Sequence, residues 1–219
     1  MKTIDLHIHT TASDGSYTPT ELVIYAVEKK LSVIAMTDHD TMKGVKEAMN
    51  YIEKNQLPLQ LIPGIEVSTY GSSHYMGFHI LGYFLDKSDE EKENIIKNLE
   101  IDLNNSSNSP RDAIKIIASY GGLSSLAHPL EYGLPTSELN KEVRKLAALG
   151  LDGIEGIYTT HSDKKVKEFT EMATENGLIV TGGTDFHGNR KPGVDLGTGF
   201  GDLQIPYSII DTLNRRASA

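Results

Sequence analysis

Two histidines near the start of the chain have a spacing that suits metal binding. His7 and His9 lie two residues apart in the predicted strand Thr3–His9, and alternate residues of a strand project from the same face. Both imidazoles could therefore hold one metal ion. Histidines that merely form hydrogen bonds at a strand end would have the same spacing, so the pair alone leaves both interpretations open.

Histidines and carboxylates also occur at or near the ends of other predicted strands. The strands predicted after the first are Ser32–Met36, Leu59–Val67, Gly77–Phe84, Gly122–Ala127, Gly153–Tyr158 and Leu178–Thr181. The groups at or near their ends are His39, Glu66, His79, His128, Asp185 and His187. In an α/β barrel the functional groups gather at the C-terminal ends of the strands. Bringing so many imidazoles and carboxylates together would be costly without a cation, so we expect a polynuclear metal site.

The chain has no cysteine, so any metal ion must use nitrogen and oxygen ligands. Such ligands suit Mn²⁺, Zn²⁺ or iron, and geometry and availability select among these metals. We expect about two to three divalent ions, with Glu66 as a carboxylate that bridges two of them. Ions held in this way would share a hydroxide that is a nucleophile at neutral pH and would clamp the oxygens of an in-line displacement.

Helix start and stop signals separate the predicted strands. N-cap residues with an acidic partner three positions later are found at Thr18 with Glu21, Ser88 with Glu91 and Ser109 with Asp112. Gly150 and Gly177 are placed to end helices. Seven strands with helices between them predict an α/β fold whose mostly parallel sheet closes, or nearly closes, into a barrel. We expect one domain over residues 1–219.

Charge and hydropathy restrict the partners. The formal net charge of -9 disfavours a surface that binds long nucleic acid, which needs clustered lysine and arginine. A small phosphorylated substrate remains compatible, because a metal cluster can dominate the local field. The opening segment MKTIDLHIHT lacks the regions of a signal peptide, and no apolar run reaches the ~18 residues of a membrane span. We expect a cytoplasmic protein with no membrane partner. The sequence does not indicate whether it has partner proteins.

Five motifs resemble those of the PHP (polymerase and histidinol phosphatase) superfamily. They are DLHIHT at 5–10, TDHD at 37–40, PGIE at 63–66, AHP at 127–129 and GTDFHG at 183–188. The segments TASDGSYTP at 11–19 and HILGY at 79–83 are similar to those of small bacterial phosphoesterases that dephosphorylate nucleotides, including AMP and nucleoside 3′,5′-bisphosphates. The resemblance implies a distorted seven-stranded (β/α) barrel of the TIM-like type with a trinuclear metal site.

The resemblance also implies which residues hold each ion. The three ligand sets are His7, His9, Glu66 and Asp185 for one ion, Glu66, His79 and His128 for a second, and Asp14, His39 and His187 for a third. Asp14 stands where other branches of the superfamily carry a histidine. Its position before a glycine in a loop would otherwise indicate turn chemistry.

The chain departs from its nucleotide-specific relatives between the HILGY and AHP motifs. Those relatives carry a long, partly helical insertion whose arginines reach towards the substrate phosphate. Here the insertion, around residues 86–110, is short and contains the polar run NNSSNS at 104–109. We expect the catalytic cluster to be retained, with weaker discrimination between substrates because fewer remote contacts remain.

Several residues outside the ligand sets are weaker candidates. His161 follows a predicted strand and could donate a proton to the leaving oxygen or contact phosphate, although it could also simply precede an N-cap at Ser162. One of Asp38 and Asp40 would orient an imidazole, and Asp40 is equally suited to cap a helix near residue 41.

Three basic residues could meet the substrate. Arg190 and Lys191 follow the last motif and could contact phosphate or remain solvated. Arg111 lies beside the shortened insertion and could partly replace the absent arginines. His74, in a polar loop, is expected at the surface.

Together these observations predict a hydrolase of phosphoric esters. Its catalytic groups would be Glu66, Asp185 and His161, its substrate a small phosphomonoester with a nucleotide as the leading candidate, and its product inorganic phosphate. The alternatives are a histidinol-phosphate phosphatase, a nuclease or phosphodiesterase that acts on short oligonucleotides, and an inactive accessory or regulatory module. Asp14 argues against the first alternative, the acidic charge against long strands, and the filled ligand positions against an inactive module. A hydrolase of C–N bonds of the amidohydrolase type fits the GTDFH motif poorly.

Overall fold

A computed structural model describes residues 3–71 and 76–218. Within these ranges the chain forms a seven-stranded sheet in the order β1 to β7, curved into a nearly closed barrel, which confirms the predicted fold class. The strands are β1 Thr3–Asp5, β2 Leu31–Met36, β3 Gln60–Ser68, β4 His79–Tyr83, β5 Leu123–Leu126, β6 Gly153–Tyr158 and β7 Ile179–Gly183. The α-helices are α1 Pro19–Glu28, α2 Lys43–Lys54, α3 Asp89–Asn104, α4 Pro110–Ser119, α5 Thr136–Ala148, α6 Asp163–Glu175 and α7 Ser208–Ala217. The prediction for His74 falls outside the described residues.

The helix boundaries follow the sequence signals. At the start of α1 the hydroxyl of Thr18 accepts a hydrogen bond from the backbone N–H of Glu21, whose carboxylate accepts one from the N–H of Thr18 at 2.8 Å. Ser88 and Glu91 form the same reciprocal pair before α3. Gly150 and Gly177, with φ of 103° and 68°, follow α5 and α6 and take the left-handed conformation that ends a helix.

One connection departs from the predicted alternation of strands and helices. β3 joins β4 directly and pairs with it in antiparallel fashion, with Ser68 opposite His79, and β4 is also antiparallel to β5. The intervening segment is too short for a parallel crossover, which needs a dozen or more residues. The expectation of a helix between every pair of strands is therefore wrong here. Because β4 runs in the opposite direction, His79 lies at its N-terminal end and still reaches the rim formed by the C-terminal ends of the parallel strands.

The first strand is shorter than predicted, but the chain beyond it closes the barrel. Ile8 forms a parallel bridge with Phe186. The N–H of Asp185 donates to the carbonyl of His7 at 2.8 Å, and the N–H of His9 donates to the carbonyl of Phe186 at 2.9 Å. The segment after β1 thus lies beside the segment after β7, and the two histidines of the first motif meet the aspartate of the last.

The core is divided into two clusters of buried side chains. The larger one joins the helices to the strands and includes Leu22, Ile114 and Phe169. In the smaller one Leu81 and Tyr83 of β4 pack with Leu213 and its neighbours on α7. Leu81 and Tyr83 lie on the same face of β4 as His79, which is at the start of the strand. Their contact with α7 therefore places this helix at the end of the barrel away from the histidines.

The interval predicted as a shortened insertion is a packed helix. α3 buries Ile95, Leu99 and Leu103, and the linker after it holds the hairpin between β3 and β4 through a hydrogen bond from the N–H of Tyr70 to the carbonyl of Asn108 at 2.7 Å. Among the described residues no helix is long and apolar enough to cross a membrane.

Candidate metal centre

The carboxylate of Glu66 is fully buried and lies among five histidines from four segments of the chain. Its Oε2 atom is 3.0 Å from the Nε2 atoms of both His7 and His9 and 3.3 Å from Nδ1 of His39. Its Oε1 atom is 3.1 Å from Nδ1 of His79 and 3.0 Å from Nε2 of His128. Each oxygen therefore faces a different set of imidazoles, as required of a carboxylate that bridges two cations.

The first predicted ligand set forms a compact group of four atoms. The Nε2 atoms of His7 and His9 lie 3.1 Å apart, and Asp185 Oδ1 lies 3.5 Å from the first and 3.2 Å from the second. With Glu66 Oε2 these atoms could hold a metal ion. Four ligands at the ~2.0 Å bond length of zinc–nitrogen contacts stand about 3.3 Å from one another in a tetrahedron. The five separations given above, 3.0 to 3.5 Å, lie close to this value.

The second predicted set is His79 and His128 with Glu66 Oε1. His79 reaches it from the start of β4, and the hydroxyl of Tyr132 accepts a hydrogen bond from the His79 backbone N–H at 2.8 Å. His128 follows β5 with φ of 27° and ψ of 59°. Residues other than glycine rarely adopt this backbone conformation, and those that do are often found at functional sites. His39 is also near enough to Glu66 and His79 to share an ion with them.

The third predicted set lies nearest to solvent. Asp14 Oδ1 is 3.3 Å from Nε2 of His187, and Oδ2 is 3.9 Å from Nε2 of His39. The side chain of Asp14 is 56% exposed. His9 also joins this group through Nδ1, which lies 3.5 Å from Asp14 Oδ1, so its ring stands between two groups of ligands.

The buried histidines and carboxylates of this site shift one another's pKa values. Burial alone would lower the pKa of His7, but the carboxylates of Glu155, Glu66 and Asp185 outweigh it and hold that pKa well above the ordinary value. Burial would likewise lower the pKa of His9, yet hydrogen bonds to Asp185 and Glu66 raise it to about 9. The same interactions, working against burial, hold the pKa of Glu66 and that of Asp185 well below their ordinary values.

The outer histidines behave differently. Burial lowers the pKa of His39 and that of His187, so both favour the neutral form that a metal ligand requires. Nδ1 of His187 lies 2.9 Å from the backbone carbonyl of Asp185 and donates to it, which leaves the lone pair of Nε2 directed at Asp14. Nδ1 of His9, His39 and His128 is buried with no hydrogen-bond partner in the described part of the chain.

The two aspartates that flank His39 hold backbone and hydroxyl groups. Asp38 accepts hydrogen bonds from the N–H and hydroxyl of Thr10, at 2.7 and 2.8 Å, and from the hydroxyl of Ser13 at 2.7 Å. It thereby fixes the loop that carries Asp14. Asp40 accepts from the backbone N–H of Ser68 at 2.8 Å, while α2 begins only at Lys43. Within the described residues neither aspartate forms a hydrogen bond with an imidazole, and the predicted role of orienting one stays a prediction.

His161 is buried beside the end of β6. Its Nδ1 lies 2.9 Å from the carbonyl of Gly156 and donates to it, while Nε2 is buried with no partner among the residues that the structure describes. The ring packs against Tyr158 and Phe169, with centroids 5.2 and 4.7 Å away. Burial lowers the pKa of His161, so the imidazole favours the neutral form with a free lone pair on Nε2.

A cavity opens on the cluster. It is lined by Asp14, His39, Glu66, His79, His128, Glu131, Asp185, His187, Arg190 and Lys191. Nζ of Lys191 lies 2.7 Å from Asp185 Oδ2 and 2.8 Å from the hydroxyl of Tyr158. Arg190 is exposed at the rim. Arg111, exposed in the first turn of α4, does not belong to this lining.

Sequence reasoning missed three residues of the site. Glu155 is fully buried and lies 3.0 Å from Nδ1 of His7. The hydroxyl of Tyr158 lies 2.8 Å from Asp185 Oδ2 and 2.6 Å from Glu131 Oε1. The available signal was a glutamate inside the apolar strand GIEGIY, since a buried carboxylate in a barrel strand needs a charged or hydrogen-bonding partner.

Comparison with known proteins agrees with the fold and the motifs. The PHP domain family model matches residues 5–147. Over 82 residues the chain is 48% identical to the 5′-3′ exoribonuclease Rnm of Escherichia coli (strain K12), a match that spans 37% of this chain but only 27% of that protein. It is 24% identical to the 3′,5′-nucleoside bisphosphate phosphatase of Chromobacterium violaceum over 264 positions, which include 90% of this chain and 91% of the relative.

The alignment with the bisphosphate phosphatase is longer than this chain of 219 residues. The phosphatase therefore contains segments that this chain lacks. A solved structure of an amidohydrolase from Chromobacterium violaceum superimposes with a TM-score of 0.75 at 23% identity, covering 98% of this chain and 96% of the other. It supports the fold alone. Since the family model covers more than half of the sequence, and the five motifs converge on one rim, the chain belongs to the PHP domain family.

Proposed function

We propose that the protein is a metal-dependent phosphoesterase that removes phosphate from a small phosphomonoester, namely a nucleotide of the AMP or nucleoside 3′,5′-bisphosphate type. The observation that carries the proposal is the position of Glu66, buried with each carboxylate oxygen facing a different set of imidazoles. The similarity to a bisphosphate phosphatase over most of both chains supports the substrate class.

The nine predicted ligands would hold two to three divalent ions of manganese, zinc or iron; eight of them form groups that could bind an ion, and the ninth, His128, lies 3.0 Å from Glu66 Oε1. Such ions, when bound, activate water as a nucleophile at neutral pH and stabilise the charge of a phosphoryl group. The protein contributes a rigid set of ligands, because the rings are oriented by Glu155 and by the Asp185 carbonyl.

The remaining groups of the cavity suit a phosphate ester. Arg190 and Lys191 are the cations of its lining, and they would bind phosphate oxygens that point away from the ions. Lys191 also donates to Asp185 Oδ2. It thereby neutralises the oxygen of Asp185 that does not belong to the first ligand set. His161 is proposed to accept a proton or a hydrogen bond from water or substrate at Nε2, because Nδ1 donates to the Gly156 carbonyl and leaves a lone pair on the buried Nε2.

A second candidate function is hydrolysis of a phosphodiester at the 5′ end of a short RNA. The local identity of 48% to an exoribonuclease favours it. The same ligand sets would serve both reactions, because each requires attack on phosphorus and departure of an alkoxide. The net charge of -9 argues against tight binding of a long strand, since phosphate contacts along a strand need clustered cations.

The test is product analysis with protein of known metal content, with and without added Mn²⁺. The panel contains AMP, adenosine 3′,5′-bisphosphate, histidinol phosphate, p-nitrophenyl phosphate and a short 5′-phosphorylated RNA. The first proposal expects metal-dependent release of inorganic phosphate from a nucleotide, whereas the second expects nucleoside monophosphates from the RNA. Asp152→Asn, a change at a carboxylate paired with Arg216 away from the cavity, serves as the control and should retain activity. Absence of both products from a protein with bound metal would contradict the proposal.

We also propose a cytoplasmic location, on the sequence grounds given above. Fractionation of cells that express the chain would test it.

A further inference from the structure

We propose that Glu155 is a positioning residue that holds the ligands of two ions, His7 and His128, in their binding arrangement. The inference rests on the proposed metal-dependent function. Glu155 lies in β6, and its side chain is fully buried. Its two oxygens lie 3.0 and 3.2 Å from Nδ1 of His7, and Oε2 also accepts a hydrogen bond from the backbone N–H of His128 at 2.8 Å.

The contact with His7 selects one tautomer of the neutral ring. A carboxylate can only accept, so Nδ1 must carry the proton. The lone pair of Nε2 would then be free to bind an ion that Glu66 Oε2, 3.0 Å away, would also hold. Carboxylates that accept the second N–H of a metal-bound histidine fix the ring and increase its basicity. Without Glu155 the imidazole could rotate or take the other tautomer, and Nε2 would no longer be an obligatory ligand atom.

The contact with His128 acts through the backbone. His128 has φ of 27°, and such a conformation persists only where the surroundings impose it. Oε2 of Glu155 accepts a hydrogen bond from the backbone N–H of His128. The carboxylate therefore fixes the backbone orientation of this residue and, with it, the direction of its side chain. The Nε2 atom is thereby placed 3.0 Å from Glu66 Oε1.

The two contacts form a closed loop of interactions. Glu155 binds His7 and His128, and these two residues reach opposite oxygens of Glu66. The third ligand set is outside this loop of interactions. Asp14 follows the segment that Asp38 holds through Thr10 and Ser13, and Nδ1 of His187 donates to the Asp185 carbonyl. Loss of Glu155 should therefore weaken two ions selectively and spare the third.

The test compares metal binding by the wild-type protein, Glu155→Gln and the control Asp152→Asn. Glutamine keeps the size but offers one acceptor oxygen to two donors. Asp152 is a carboxylate that precedes the same strand and accepts from the N–H of Ser124 outside the cluster. Competition of Mn²⁺ or Zn²⁺ binding with a chromophoric chelator should show two ions bound about 10- to 100-fold more weakly by Glu155→Gln, with the third unchanged and with all three unchanged in Asp152→Asn. A folded Glu155→Gln protein with wild-type affinity for every ion would overturn the inference.

A second measurement needs no variant. Long-range ¹H–¹⁵N correlation spectra of the zinc-loaded wild-type protein report the tautomer of each histidine. His7 is expected to carry its proton on Nδ1 and to bind through Nε2, and coordination through Nδ1 would overturn the inference even if Glu155→Gln failed to fold. A wild-type protein that binds no ion would instead contradict the proposed function itself. The two failures are therefore distinguishable.

Discussion

At the scale of single residues, the site depends on one buried carboxylate surrounded by imidazoles. Glu66 and Asp185 are both buried, and burying an anion is costly unless a positive charge compensates it. In the metal-free protein the protons on His7 and His9 provide this compensation, as the raised pKa values of both residues indicate. Metal ions and protons therefore compete for the same nitrogen atoms.

The competition predicts that metal binding depends on pH. The pKa of His9 is raised to about 9, so this residue is protonated at pH 7 and must lose its proton when it becomes a ligand. Apparent affinity should therefore rise from pH 7 to about 9, by up to ~10-fold per pH unit for each proton displaced. Isothermal titration calorimetry in buffers of different ionisation enthalpy should detect proton release at pH 7.

The same shift determines the stability of the metal-free protein. A histidine pKa raised on folding gives stability that is fully present below the unfolded value of 6.5 and is lost as pH rises through about 9. The metal-free protein should therefore lose stability over this range. Metal binding without proton release at pH 7 would show that the paired histidines are already neutral and would contradict this account.

At the scale of elements, the site depends on how the ends of β1 and β7 meet. Gly183 is the last residue of β7, and a Cβ atom placed on it would lie 2.2 Å from Cβ of His7 and 2.6 Å from its backbone nitrogen. Only glycine permits such a close approach. The hairpin of β3 and β4 makes the second essential connection, since it places Glu66 and His79 on neighbouring strands in antiparallel register.

Gly183→Ala should displace His7 and thereby weaken metal binding. Overpacking of this kind costs about 1 to 3 kcal/mol of stability, and the shift of His7 should lower metal affinity at least ~10-fold. Gly177→Ala is the matched control, because Gly177 has φ of 68° and open space around it. The control should lose about 1 kcal/mol from its left-handed backbone and keep its metal affinity. Thermal unfolding and chelator competition measure the two effects, and equal metal affinity in both variants would contradict the proposed role of this contact.

Element boundaries were largely predictable from local signals. The capping pairs at Thr18 and Ser88 and the glycines after α5 and α6 are where the sequence indicates, because caps and left-handed glycines act within a few residues. The direction of β4 was not predicted, although the short interval before it excludes a crossover helix. The extent of β1 was overestimated, since the residues after Asp5 form individual hydrogen bonds to the segments after β7 and after β2 and do not continue the regular ladder.

At the scale of the whole molecule, seven strands bring distant segments to one rim. The predicted ligands from five motifs converge there because the sequence placed them at strand ends, where barrel geometry gathers them. Their binding of metal stays a prediction. Hydrogen-bond partners that come from distant strands could not be predicted, because the sequence does not show which side chains meet inside the barrel. Glu155, for example, contacts His7 from 148 positions away in the sequence. Tyr158 and Glu131 were missed for the same reason.

The most direct test of the central claim is elemental analysis of the purified wild-type protein and of Glu66→Gln after incubation with Mn²⁺ or Zn²⁺ and removal of free metal. Glutamine preserves the shape of the side chain but removes the charge and one acceptor oxygen. We predict about two to three ions per wild-type chain, and loss of at least the two ions that share Glu66 in the variant, with kcat/KM lowered at least ~1000-fold. A wild-type protein without bound metal, or a Glu66→Gln variant with the wild-type number of ions, would contradict the account.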